Sequence, residues 1–166
     1  MSNIAGIYWD DTAAAPGISL SVYFSGCHFH CPGCHNPEAQ DFNYGTEFGW
    51  ETIQEVLQKI KKNGVMRTLC LLGGEPLTNE NLTAVIALIG WCKQDYPDLK
   101  IYVWTGYTIE ELENRDDADV MAVLRNVDYL IDGRYEQDKR DITLPLRGSS
   151  NQRIINMKEY FNERIH

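Results

Sequence analysis

Apolar and polar positions along this chain change period several times. Residues 18–24 (Ile-Ser-Leu-Ser-Val-Tyr-Phe) alternate and are rich in β-formers, which predicts a strand. Residues 51–62 place Ile53, Val56, Leu57 and Ile60 at helical spacing, and Asn63-Gly64 supplies a stop. Residues 68–72 form a short apolar run, read as a buried strand. Residues 79–94 carry Leu82, Val85, Ile86, Leu88, Ile89 and Trp91 on most faces, so this helix is expected to be largely buried. A strand over 100–105, helices over 108–114 and 117–125, and a strand over 127–131 complete the pattern.

Strands separated by helices imply parallel βαβ units, whose ligands gather at the C-terminal ends of the strands. With 166 residues the chain suits one α/β domain with one core, and no repeat, linker or low-complexity stretch divides it. A closed eight-stranded barrel needs roughly 200 residues or more. The expected architecture is therefore an incomplete (β/α) barrel, open on one side.

Composition narrows the classes of function. Hydrophobic residues make up 43% of the chain, yet no apolar run approaches the roughly 20 residues of a membrane span. A net charge of −9 argues against a nucleic-acid backbone as partner, which needs a basic face. Met1-Ser2-Asn3-Ile4-Ala5 has neither the basic region nor the apolar core of a signal peptide, so a cytoplasmic location is expected. Thiols stay reduced there, and clustered cysteines bind metals.

The candidate chemistry sits directly after the first predicted strand. Cys27, Cys31 and Cys34 form a C-x-x-x-C-x-x-C cluster. Three thiolates can hold three corners of an iron–sulfur cube and leave its fourth iron open, whereas fully ligated electron-transfer clusters usually take four cysteines. A structural zinc site with His28, His30 or His35 as fourth ligand is the alternative. Zinc sites of this kind usually pair two knuckles across a longer segment, and no second knuckle follows here; Cys70 and Cys92 lie alone in apolar stretches. A disulfide framework fits poorly in a chain without secretory features. His28 and His30 read as loop residues rather than ligands.

Three further strand ends carry glycine or polar residues: Gly73-Gly74-Glu75-Pro76, Thr105-Gly106-Tyr107 and Asp132-Gly133-Arg134. Each alone would be an ordinary turn. Their shared position on one end of the sheet suggests a single site.

The cysteine spacing together with Gly73-Gly74-Glu75-Pro76 resembles the radical S-adenosylmethionine superfamily. More narrowly, Cys31-Pro32-Gly33-Cys34-His35-Asn36, Trp104-Thr105-Gly106-Tyr107, residues 127–134 (V-D-Y-L-I-D-G-R) and residues 147–153 (R-G-S-S-N-Q-R) resemble the anaerobic ribonucleotide reductase activating proteins, in that family's order. The resemblance runs from about residue 21 to residue 155. It implies an incomplete barrel of radical SAM type and one [4Fe–4S] cluster on Cys27, Cys31 and Cys34. It also implies S-adenosylmethionine held by Gly33, Cys34, His35, Gly73, Gly74, Glu75, Thr105, Asp132 and Arg134. In such a protein the backbone of the Gly-Gly-Glu turn meets the methionine amino group. At the last strand end, Asp132 can accept from the amino or ribose groups and Arg134 can pair with the carboxylate, and a solvated turn with a local ion pair is the alternative for both. The implied partners are the large subunit of the anaerobic reductase, on which a glycyl radical is generated, and a flavodoxin-like electron donor.

Two departures from the family pattern stand out. The stretch N-G-x-G-x-R before the first core strand is replaced by Ala14-Ala15-Pro16-Gly17-Ile18-Ser19, which keeps one glycine and loses the arginine. His35 stands where an aromatic such as tyrosine is common, and Gly33 where the wider superfamily prefers an aromatic. An activase of another glycyl radical enzyme, of pyruvate formate-lyase type, shares the chemistry, but many such chains are longer and some carry extra cysteines. A non-catalytic zinc-binding interaction module is the remaining alternative. The segment from Arg147 to Arg153 is expected to cover the open side or to contact the partner.

Overall fold

The computed structural model describes residues 2–165. Its framework is a seven-stranded open sheet flanked by five α-helices. The strands are β1 (Asn3–Asp11), β2 (Ser19–Phe24), β3 (Thr46–Glu47), β4 (Thr68–Gly73), β5 (Ile101–Trp104), β6 (Tyr129–Asp132) and β7 (Arg153–Asn156). The helices are α1 (Trp50–Lys59), α2 (Asn79–Asp95), α3 (Ile109–Asn114), α4 (Ala118–Asn126) and α5 (Met157–Ile165). Their spatial order across the sheet is β3-β1-β2-β4-β5-β6-β7.

The four strands expected from the hydrophobic pattern are the parallel heart of this sheet. β2 runs beside β4 with Ser19 opposite Thr68 and Phe24 opposite Gly73. β4 pairs with β5, and β5 with β6, in the same sense. Three antiparallel strands, β1, β3 and β7, extend it on both sides, so the sheet is mixed and does not close into a barrel.

Alternation sorts the side chains of the parallel strands onto two faces. Leu20, Val22 and Phe24, Leu69 and Leu71, Ile101 and Val103, and Leu130 are fully buried in one core with the apolar stripes of the helices. The intervening residues face the other way: Tyr23, Leu72, Trp104 and Tyr129 are only partly buried. Tyr102 packs against both Trp104 and Tyr129 on that second face. The second face is therefore the more open side. Among the described residues no helix is long and apolar enough to cross a membrane.

The ends of the helices explain where they stop. α1 closes at Lys59, earlier than its apolar pattern suggests, and a 3₁₀ turn over Lys62–Gly64 follows, with Asn63 in the left-handed region at φ 60°. The buried guanidinium of Arg67 donates to the carbonyls of Lys59, Lys62 and Val65, satisfying acceptors that a helix end leaves open. Thr78 caps α2 through the Asn81 amide, and Thr108 and Glu111 cap α3 reciprocally. Both caps lie immediately after strand ends, where they set the exit of the chain from the sheet.

Candidate functional site

The C-terminal ends of β2, β4, β5 and β6 open onto one pocket of about 230 Å³. Cys27, Cys31 and Cys34 border it together with Gly73, Gly74, Glu75, Thr105 and His35. Eight of the eleven residues singled out from sequence therefore converge. Gly33, Asp132 and Arg134 do not line it.

Backbone hydrogen bonds fix the cysteine loop to its neighbours. The Gly26 amide donates to Ala39 O at 2.7 Å and the Cys27 amide to Gln40 O at 3.1 Å. The buried Asn81 amide group donates to both Ser25 O (2.9 Å) and Glu75 O (3.0 Å), tying the start of the loop to the Gly-Gly-Glu turn. All three cysteines are free thiols and partly exposed. Burial pushes the Cys27 and Cys31 thiols above their ordinary pKa, so the thiolate form is disfavoured until a cation compensates it. No three His, Cys, Asp or Glu side chains among the described residues converge as they would around a single ion.

An aromatic residue anchors the middle of that loop. Phe29 lies over Gly106, where an added Cβ would come within 2.6 Å of its ring, and meets Tyr107 edge-on at 4.8 Å. The Arg134 guanidinium stacks on Phe29 at 4.3 Å and forms a two-pronged ion pair with Glu111 at 2.8 Å on each arm. Arg134 is thus consumed in holding Phe29. His28 meets Glu80 at 2.8 Å and His30 meets Gln40 at 2.9 Å, both near the surface. His35 packs on Tyr135 at 4.9 Å at the rim.

Glu75 is the most unusual group in the pocket. It is 1% exposed, and its carboxylate accepts from the Thr105 hydroxyl (2.7 Å), the Gly106 amide (2.6 Å) and the Leu77 amide (2.9 Å). Desolvation outweighs these three donors and pushes its pKa up to about 7. Its side chain therefore braces the turn after β5. In its own turn, after β4, the Gly74 and Glu75 amides donate to Phe24 O and Gly26 O at 2.8 Å. These two amides are thus spent on the end of β2 and the start of the cysteine loop. The Gly74 carbonyl accepts no hydrogen bond from the described residues. Gly74 is required sterically: a Cβ there would stand 2.5 Å from Ala39 O and 2.6 Å from Gly26 O.

Asp132 is fully buried and bound by Arg153 (3.0 Å and 2.5 Å) and by the Ile109 amide at the start of α3 (2.9 Å). Its acceptors are engaged with protein, so the expected contact to a cofactor has no support in this geometry. Gly33 turns at φ 75° outside the pocket, against Gln137 and Tyr135.

The segment after residue 146 closes one side. The Gln152 side chain accepts from the Gly148 and Ser149 amides at 2.9 Å and 3.1 Å and donates to Gly133 O at 3.0 Å. Asn151 donates to Arg134 O at 2.7 Å, and the Trp104 indole donates to Leu146 O at 2.8 Å. Leu146, Gly148 and Gln152 consequently line the pocket beside Trp104 and Tyr135. Sequence reasoning singled out this polar segment without assigning its lining residues; its density of amide side chains was the available signal.

A family model described as a 4Fe-4S single cluster domain matches residues 13–155. The anaerobic ribonucleoside-triphosphate reductase-activating protein of Pasteurella multocida (strain Pm70) is 36% identical over 95% of this chain and 99% of its own length. The chain belongs to the anaerobic ribonucleoside-triphosphate reductase-activating protein family. Other members include the Vibrio cholerae protein, 36% identical over 87% of this chain and 91% of its own, and the Escherichia coli (strain K12) protein, 32% identical over 89% and 94%. Membership in this family gives the three-thiol pocket an iron–sulfur context that a lone cysteine cluster lacks.

Proposed function

We propose that this protein is the activase of an anaerobic ribonucleotide reductase, working with one [4Fe–4S] cluster and S-adenosylmethionine in an incomplete barrel of radical SAM type. The observation that carries the reading is the meeting of Cys27, Cys31 and Cys34 with the Gly73-Gly74-Glu75 turn in one pocket, in a chain of this family.

The donor set fits both groups. Three reduced thiols on one loop suit three irons and leave a fourth without a protein ligand. The unshared Gly74 carbonyl is an acceptor suited to the ammonium of the cofactor, and Gly73 and Gly74 allow the close backbone approach. When bound, the cluster and S-adenosylmethionine would supply one-electron reductive chemistry, with the flavodoxin-like donor as electron source and methionine as by-product, directed at an α-hydrogen of a glycine in the reductase large subunit.

This chain's residues then have distinct tasks. Cys27, Cys31 and Cys34 bind as thiolates, releasing their protons on loading. Glu75 and Thr105 hold the turns after β4 and β5 in fixed relation. Cys34 and His35 present the rim of the pocket, with Gly33 making the turn between the second and third cysteine. Arg134 holds Phe29, and Asp132 holds Arg153, so these two act by positioning the walls. The segment from Arg147 to Arg153 narrows the open side and limits access of water.

A small open sheet leaves little wall to enclose a second substrate, so a peptide segment of the reductase is the partner that completes the pocket. A flavodoxin-like protein is the proposed electron donor, and the cytoplasm the proposed location. The test is anaerobic incubation of the reconstituted protein with reductant, S-adenosylmethionine and the reductase. A glycine-centred doublet on the reductase is expected by electron paramagnetic resonance, and its loss with Cys31→Ala. Cofactor cleavage with turnover of a free small molecule and no such doublet would overturn the reading.

A further inference from the structure

We propose that the outer edge of β1 is a strand-addition site that takes an extended basic segment of the reductase, an inference that rests on the function proposed above. β1 is nine residues long, and its inner edge pairs with β2 as far as Asp11. Its outer edge meets β3 at only two positions, Asn3 opposite Glu47 and Ile4 opposite Thr46. Beyond them, no described residue outside the β1–β2 ladder hydrogen-bonds the backbone of residues 5–11. The opposite edge of the sheet, β7, is only four residues long.

Exposed edges of this length are usually blunted by lysine or other charges, proline, bulges or a covering element, because their unpaired amides and carbonyls template another strand. Residues 5–11 contain neither lysine nor proline. Register shifts between Ile4 and Gly6 and between Tyr8 and Asp11 are bulges that twist the strand, and between them Gly6, Ile7 and Tyr8 keep an unbroken register with β2, so the regular part of the edge is there. An added strand would lie about 4.8 Å away and satisfy the outward peptide groups, the mode by which sheets capture extended peptides.

Chemistry beside the edge selects the occupant. A cleft of about 550 Å³ adjoins it, lined by Tyr8, Asp10, Asp11, Tyr23, Glu38 and Tyr44. Arg67 pairs with Asp10; Asp11 accepts from the Ala13 amide and the Ser21 hydroxyl, and among the described residues neither it nor Glu38 has a cationic partner. Alternate side chains of an added strand would enter this cleft, so lysine or arginine at every second position fits, with their stems along the tyrosines. A second copy of the chain fits badly, because two chains of net charge −9 would bring these carboxylates together. Asn36 borders both this cleft and the cysteine pocket, so a segment on the edge continues toward the site of chemistry.

Residue-resolved hydrogen exchange on the intact protein, with and without the large subunit of the anaerobic reductase, tests this. The outward amides of residues 6–10 should exchange fast alone and slow at least ~10-fold in the complex, as main-chain pairing requires. The double variant Tyr8→Lys with Glu38→Lys, at two exposed positions, should weaken reductase binding at least ~10-fold at low salt with iron content unchanged. A complex that forms normally while these amides stay fast would overturn the edge proposal and leave the activase reading standing. Protection that grows with the protein's own concentration, without reductase, would overturn it in favour of self-pairing. Failure of the unaltered protein to bind the reductase would remove the activase reading and this edge with it.

Discussion

The Thr105 hydroxyl donates to the buried carboxylate of Glu75 at 2.7 Å, joining the ends of two neighbouring strands across the floor of the pocket. The bond matters because each residue belongs to a different βα turn. One carboxylate thereby fixes the Gly-Gly-Glu turn, the Thr-Gly-Tyr turn and, through the Gly106 amide, the surface under Phe29.

This bridge makes the metal-free protein sensitive to pH in a definite direction. The ordinary glutamate pKa is 4.5, and burial raises that of Glu75 to about 7. Below pH 4.5 the group is protonated whether the chain is folded or not. Between 4.5 and 7 the unfolded chain releases the proton while the folded chain keeps it, so stability falls as pH rises and levels off above 7. The size is about 3 kcal/mol at 1.36 kcal/mol per unit. Glu75→Gln should flatten that slope in urea titrations. It should also lower stability by about 1–3 kcal/mol, because the amide NH₂ must face a backbone N–H. An unchanged slope in the variant would assign the pH dependence elsewhere.

Two glycines of the site should respond differently to alanine. At Gly74 the new methyl meets the backbone oxygens of Ala39 and Gly26, which cannot step aside without moving the cysteine loop. Gly74→Ala should cost at least about 2 kcal/mol by overpacking and lower the iron content after reconstitution. At Gly33 the obstruction is the flexible end of Gln137, so the cost reduces to the left-handed φ of 75°, about 1–2 kcal/mol. Thermal unfolding and iron analysis of both variants separate the two.

The parallel core was legible because period-two and period-3.6 patterns were uninterrupted there. The strand expected over 18–24 is β2, and the helix expected over 79–94 is α2 to within a residue. β1 escaped because its register shifts at Gly6 and before Asp11 break the alternation on which a strand reading depends. β7 and α5 escaped for other reasons: Arg-Ile-Ile-Asn is too short to show a period, and the core-facing stripe of α5, Met157, Tyr160 and Phe161, spans little more than one turn. At the site, the cysteines and the Gly-Gly-Glu turn were readable as spacing. The roles of Asp132 and Arg134 were not, since their partners Arg153 and Glu111 lie 21 and 23 residues away in sequence.

The cysteines divide into two sets that chemical analysis can distinguish. Cys27, Cys31 and Cys34 are partly exposed on the pocket loop, while Cys70 and Cys92 are fully buried and burial pushes their thiols up to about 12. Anaerobic reconstitution should give a brown protein with about four irons per chain. Alanine at any loop cysteine should abolish this cluster, and alanine at Cys70 or Cys92 should leave it intact. Loss of iron in a Cys70 or Cys92 variant, with retention in a loop variant, would refute the ligand set.

Arg153 offers a test of the tail as structure rather than as ligand. Its guanidinium binds Asp132, which is 1% exposed, and also Glu110, which is 60% exposed. Removing the arginine leaves the buried Asp132 carboxylate with only the Ile109 amide. Stranding one partner of a fully buried pair costs about 3–5 kcal/mol. Because Arg153 is itself 46% exposed and water can reach the gap, about 2 kcal/mol is expected for Arg153→Ala. Glu110→Gln removes only a solvent-screened partner and should cost less than about 1 kcal/mol. Both follow from chemical unfolding of the metal-free protein at pH 7. Equal losses in the two variants would mean that the exposed pair, not Asp132, anchors β7 to the pocket wall.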